Sequence, residues 1–102
     1  MNDGPICMTA RLRALPDTAA ALRVRLLRLL APSRAEPACK WFQVCVNERD
    51  PLDFVVVSEW ASRSAYEARM EQDYMKAYMS ELPGLVDGEF TWDLFVPLTQ
   101  AR

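Results

Sequence analysis

The chain contains no histidine. That removes both the commonest metal ligand and the commonest general base at neutral pH. Cysteine is scarce too, with three residues, Cys7, Cys39 and Cys45. On one extended strand Cys39 and Cys45 would lie roughly 20 Å apart, beyond disulfide reach. Nor does their spacing suit zinc, so no metal is expected. Unpaired thiols fit a reducing compartment, and the cytoplasm is the expected location. No apolar run is long enough to span a membrane, and the stretch Met1–Pro5 has neither the basic start nor the apolar core of a leader. Blocks of like charge are absent as well. The formal net charge is -2, from 12 basic and 14 acidic residues, with the basic surplus in the first half and the acidic surplus in the second. Arg23, Arg25 and Arg28 read as the solvated side of a helix, so no nucleic-acid partner is expected.

What is present is an ordinary globular composition over 102 residues, 51% hydrophobic and 25% charged. That length fits one domain, residues 1–102 with a core over about 5–98. A domain this small gains from burying surface in a dimer. From Pro5 to Leu15 the sequence alternates, with Ile6, Met8, Ala10 and Leu12 on one side and Cys7, Thr9, Arg11 and Arg13 on the other, which predicts a strand. A helix capped by Asp17 is expected to run to Leu30 and to end at Ala31-Pro32. Ala19, Leu22, Leu26, Leu29 and Leu30 form its apolar side. A second strand covers Cys39–Glu48, with Lys40, Phe42, Val44 and Val46 on one face and Trp41, Gln43, Cys45 and Asn47 on the other. The turn residues Asn47–Pro51 predict a hairpin into a third strand, Asp53–Trp60. Its run Phe54-Val55-Val56-Val57 is apolar on both faces, as in a strand covered on both sides.

Ser62 or Ser64 caps the next helix, Ser64 having capping-box spacing to Glu67. That helix is expected to break near Glu71-Gln72 and resume at Asp73, with Met75, Met79 and Leu82 on one face and Tyr74 and Tyr78 on an adjoining one. Pro83-Gly84 stops it. Gly88–Leu98 reads as the last strand, with Phe90, Trp92, Leu94 and Val96 aligned. The order β-α-β-β-α-β predicts an α+β, ferredoxin-like fold, a four-stranded antiparallel sheet with helices on one face. Its other, largely apolar face needs cover, and a homodimer paired face to face would supply it.

The element order, the Arg34-Ala-Glu-Pro-Ala-Cys39 run, the Glu59-Trp60 strand end, the Ser62–Tyr66 helix opening and the Leu82-Pro83-Gly84-Leu85 stop together resemble the antibiotic biosynthesis monooxygenase (ABM) family. The resemblance spans about residues 5 to 98 and implies a dimeric α+β barrel with a pocket between sheet and helices. It also implies oxidation of a small aromatic quinol, phenol or polyketide-like substrate by O2, without metal, flavin or any other cofactor. Trp60 and Tyr66 match the Trp and Tyr that line the pocket of anthrone-oxidising members. Val56 stands where those members have Asn, and their Arg falls near Lys76. Arg69 stands where quinol-oxidising relatives have His, and the Trp and His of haem-degrading relatives are missing, which argues against haem breakdown.

The candidate catalytic residues are therefore Trp60 and Tyr66, to hold the ring, and Arg69 and Lys76, to favour its phenolate. Against this, Trp60 also fits a core tryptophan, Tyr66 a ring with a solvated hydroxyl, and Arg69 and Lys76 surface cations. Candidate substrate contacts are Val56, Glu59, Met70, Tyr74 and Met79. Glu59 is a possible base if buried, or a partner for Arg11 across the sheet. The methionines, Met75 included, suit an adaptable core or a pocket for flat aromatics. Trp41 and Trp92 read as core or interface packing. A non-catalytic dimeric binder of the same fold, or a small-molecule isomerase, is the alternative function, to which Val56 and Arg69 lend weight.

Overall fold

Strict alternation makes β1 (Ile6–Arg13) two-sided: Ile6, Met8, Ala10 and Leu12 are buried, while Arg11 and Arg13 are exposed. The computed structural model describes residues 3–99, so the ends of the expected 1–102 unit lie outside the described residues. After β1 come α1 (Ala19–Leu27), α2 (Leu30–Ala35), β2 (Cys39–Asn47), β3 (Asp50–Trp60), α3 (Arg63–Met70), α4 (Asp73–Glu81) and β4 (Thr91–Phe95). A 3-10 turn, Leu82–Gly84, follows α4. The sheet runs β2-β3-β1-β4 with every pairing antiparallel. This is the expected ferredoxin-like order, with each crossover helix split in two.

β3 is internal because its Phe54, Val56, Ser58 and Trp60 face the helices while Val55 and Val57 are half-buried on the other side. The helix-facing side is sealed by Leu22, Leu26 and Leu29, each at most 2% exposed. Burying a leucine of this kind contributes about 1.5–3 kcal/mol. The opposite face is open and carries Trp41 and Phe95, 39% and 53% exposed.

Local chemistry differs from the expected pattern at several points. Thr18, not Asp17, precedes α1, and its hydroxyl donates to the Leu85 carbonyl at 2.8 Å. Pro32 does not end the helix; it sits in the first turn of α2, where a missing N–H leaves no helical bond unmade. Ser62 caps α3 by accepting from the Ala65 N–H at 3.1 Å. Ser64 is held instead by Asp3, whose carboxylate accepts from its backbone N–H and its hydroxyl. A register shift between Cys39 and Trp41 turns the Lys40 ammonium towards Glu59, away from the face that carries Phe42. β3 begins at Asp50, and β4 is shorter than Gly88–Leu98 because it pairs with β1 only from Thr91 to Phe95. Gly88, at φ 75°, makes the turn before it in a conformation that favours glycine.

Arg25 is buried rather than solvated. Its Nε lies 3.0 Å from Glu81 Oε1, and its guanidinium sits 5.4 Å from the Tyr78 ring centroid. The contact joins α1 to α4 through a cation–π stack and an ion pair. Burial pushes the Tyr78 hydroxyl up to about 12, against the opposing charges of Arg69 and Arg25. The folded chain thus favours the neutral phenol, so this contribution is complete below pH ~10 and declines as pH rises towards the folded value. Urea unfolding at pH 9 and pH 11.5 is expected to show an alkaline loss of which Tyr78 supplies about 2 kcal/mol, so that the loss is smaller by that amount in Tyr78→Phe. An equal loss in the variant would remove Tyr78 as its source.

Candidate functional site

α3 and α4 lie over the sheet at an angle that leaves a small cavity against β1 and β3. Its floor is Met8, Ala10 and Val56, and its helical walls are Leu29, Tyr66, Arg69, Met70, Met75, Tyr78 and Met79. Phe90 and Trp92 close the side at the β4 edge, their rings stacked at 5.7 Å and 28°. The space, partly open to solvent, is about 30 Å³, enough for one or two waters. A ring can enter only if the wall moves. Methionine, unbranched and soft, is the wall material that moves most easily.

Arg69 dominates the site. It is 1% exposed, and its guanidinium lies 4.8 Å from the Trp60 ring centroid and 5.2 Å from that of Phe42. Nη2 donates to Ser33 Oγ at 3.2 Å, while the buried Nε has no hydrogen-bond partner. No carboxylate pairs with it among the described residues. Two aromatic faces and one hydroxyl replace only part of the hydration a guanidinium loses on burial. The arrangement is an electropositive centre short of an anion.

Trp60 is fully buried beneath Arg69, and its Nε1 donates to Ser58 Oγ at 3.0 Å. Its N–H is therefore already used, and what it offers the site is the ring face under the guanidinium. Tyr66 meets Trp60 edge-on, with centroids 6.4 Å apart at 66°. Burial pushes its hydroxyl up, opposed by the charge of Arg69. Tyr74 stands behind Arg69 and donates from its hydroxyl to Glu36 Oε2. Burial, reinforced by Glu36, raises Tyr74 as well.

Val56, Tyr66, Arg69, Met70 and Met79 are thus brought to one cavity, with Trp60 beneath it and Tyr74 behind. Lys76 is not among them. It is exposed on α4, its ammonium 3.8 Å from Glu71, because its helical position faces away from the Met75–Met79 side. Glu59 is buried, as a base would have to be, but on the opposite face of the sheet. Trp41 Nε1 donates to its Oε1 at 3.1 Å, and Lys40 lies 3.5 Å from Oε2. There it borders a separate groove with Arg63 and Leu98. The expected Arg11–Glu59 pair does not form, since Arg11 donates to Asp53 at 2.8 Å.

Four contributors were not anticipated from the sequence: Ser33, Glu36, Phe90 and Tyr78. Ser33 and Glu36 follow a proline that reads as a helix stop, which hid the face they share. The Phe90–Trp92 alternation was visible, but alternation alone does not say which sheet face a strand shows to the helices.

Comparison with known proteins gives a consistent answer. The family model described as Antibiotic biosynthesis monooxygenase matches residues 5–81. A protein of Mycobacterium tuberculosis named "Putative monooxygenase Rv0793" is 25% identical over 97 residues, 95% of each chain. The solved structure of Rv0793 superposes with a TM-score of 0.91 at 23% identity, over 97% of this chain and 100% of that one. PA3566 from Pseudomonas aeruginosa gives a TM-score of 0.86 at 25% identity, covering 97% and 98%. With three quarters of its length under the family model and this fold, the chain belongs to the antibiotic biosynthesis monooxygenase family.

Proposed function

We propose that this protein is a cofactor-independent monooxygenase that oxidises a small aromatic phenol or quinol with O2, acting as a cytoplasmic homodimer. The observation that carries the reading is Arg69, a buried guanidinium without a carboxylate partner among the described residues, in the wall of an otherwise apolar cavity. Oxygen reacts with an organic ring once that ring is electron-rich, and a phenolate is far richer than a phenol. A fixed cation in a dry site stabilises the phenolate where its charge develops. The ionised ring then passes an electron to O2. One oxygen atom is joined to ring carbon, and the other leaves as water with electrons and protons drawn from the substrate. Trp60 holds Arg69 in place from below, Tyr66 and Tyr78 flank the ring, and Met70 and Met79 adapt to its outline. Lys76 has no part in this reading.

Oxygen uptake by metal-free, flavin-free protein against hydroquinones, naphthols and anthrones tests it. Uptake above autoxidation is expected, falling about 100-fold in Arg69→Met. The same variant is expected to unfold at equal or higher urea concentration, because a buried charge without a counterion is costly. Turnover without oxygen uptake would point to an isomerase. Ligand affinity without turnover would point to a binding protein, the reading that Val56 on the cavity floor favours.

The dimer rests on the open sheet face, where Trp41 and Phe95 stand exposed beside half-buried Val55 and Val57. A second copy of the same face would cover them. The free thiols of Cys7, Cys39 and Cys45 suit the reducing cytoplasm. Light scattering at micromolar concentration is expected to give twice the chain mass of 11.6 kDa. A monomer would remove this part of the proposal.

A further inference from the structure

Arg69 enters the cavity wall as a cation with nothing of opposite charge against it. Its buried Nε has no hydrogen-bond partner, and Ser33 Oγ, 3.2 Å from Nη2, is neutral. The rest of the wall supplies neither an anion nor a base. Among the described residues it holds no aspartate, glutamate, histidine, lysine or cysteine, and its remaining ionisable groups are the phenols of Tyr66 and Tyr78. Burial pushes both hydroxyls up, Tyr78 to about 12, so at neutral pH neither takes a proton from a ligand. Arg69 stays protonated and cannot take one either. The cavity is thus built to hold a negative charge and has no group that would create one.

We propose that the cavity selects its ligand by charge, taking an aromatic oxyanion already ionised in neutral water: an acidic phenol or enol whose oxygen is conjugated with an electron-withdrawing group such as a carbonyl. The inference rests on reading the cavity as a phenol site, and it narrows that reading to phenols that leave their proton in solution. An oxyanion entering past Met70 and Met79 meets the guanidinium without displacing a carboxylate of the protein. The hydrogen bonds it accepts there are charge-assisted, roughly twice as strong as neutral ones. A neutral phenol of the same outline leaves the cation unpaired and its burial uncompensated. An aryl carboxylate brings the same charge, but that charge is not spread over the ring and gives O2 no electron-rich carbon. The acidic phenol or enol is therefore the source that fits an oxygenase. The titratable and charged groups around Arg69 are Tyr66 on α3, Tyr74 and Tyr78 on α4, Arg25 on α1, Arg34 on α2, Glu36 just past it and Cys39 on β2. Burial raises the three tyrosines and Cys39, which keeps all four neutral where an acidic phenol ionises. The pH dependence of binding accordingly belongs to the ligand.

Binding is measured without oxygen, by calorimetry and phenolate absorbance, with four probes: 4-nitrophenol, the more acidic 2-fluoro-4-nitrophenol, 4-nitroanisole, which keeps the outline but cannot ionise, and benzoate. Affinity for each nitrophenol is expected to fall tenfold per pH unit below that ligand's own pKa, so that the two midpoints differ as the ligands' acidities do. 4-Nitroanisole is expected to bind about 100-fold more weakly than 4-nitrophenolate. Arg69→Met, or Arg69→Gln if the first variant does not fold, is expected to remove most of that difference. One midpoint shared by both nitrophenols, or an affinity that does not change with pH, assigns the proton to a protein group and overturns the proposal while leaving the phenol-site reading intact. Binding of 4-nitroanisole within threefold of 4-nitrophenolate overturns it as well. Benzoate bound tenfold more tightly than 4-nitrophenolate overturns the phenol assignment in favour of a carboxylate ligand. Failure of all four probes to bind overturns the proposal and the phenol-site reading together. Arg69-dependent binding of phenolates with no O2 consumed on any of them upholds selection by charge and sinks only the oxygenase reading.

Discussion

The site depends on one guanidinium held out of water between two aromatic rings. Arg69 projects from α3 onto Phe42 of β2 and Trp60 of β3, and it reaches Ser33 of α2. A single side chain therefore ties two helices to two strands of the sheet. Trp60 cannot rotate away without breaking its bond to Ser58, and so the plane beneath the charge is fixed. A buried charge of this kind is a poor source of stability, because ring faces do not replace the solvation it gives up. On the proposed function, its presence is explained by what it does for a ligand.

This cost also accounts for the arrangement around it. The cation is surrounded by neutral partners: two π faces, a serine hydroxyl and tyrosines that burial holds protonated. An aspartate or glutamate placed against it would have quenched the charge. Among the described residues the acid in the neighbourhood is Glu36, which accepts from the Tyr74 hydroxyl. Arg25 offers the contrast within the same chain. It too lies on a tyrosine, Tyr78, but it is paired with Glu81 and joins helices instead of facing the cavity.

Most of the fold was legible in the sequence. Alternation in β1 and the hairpin signal at Asn47–Pro51 define the sheet, and the break near Glu71-Gln72 divides the second helical pair as read. Pro32 misled, because a proline that stops a helix and a proline in the first turn of a new one look alike without tertiary context. Arg25 misled for a related reason: a lone arginine on a helix is usually solvated, and only the cross-layer packing shows it, like the site candidate Arg69, to be buried. Glu59 was read as a base if buried or as a partner of Arg11; it is buried, but on the far side of the sheet, which a strand apolar on both faces does not reveal. Lys76 came from the family resemblance, and its helical phase turns it to solvent.

The cavity divides into a rigid part and a yielding part, and the division falls between chemistry and selection. Arg69, Trp60 and Ser33 are locked by stacking, burial and hydrogen bonds. The wall that must move to admit a ring is made of Met70, Met79 and the Phe90–Trp92 stack. That stack sits at a five-residue edge strand bonded on one side only, to β1. Fewer backbone hydrogen bonds hold an edge strand than a central one, so displacing it requires less energy. On the proposed function, a substrate is chosen by the outline these four side chains can adopt and kept ionised by a centre that does not change. Substitutions at Met79 or Trp92 should therefore alter which rings enter while leaving the charge that activates them in place.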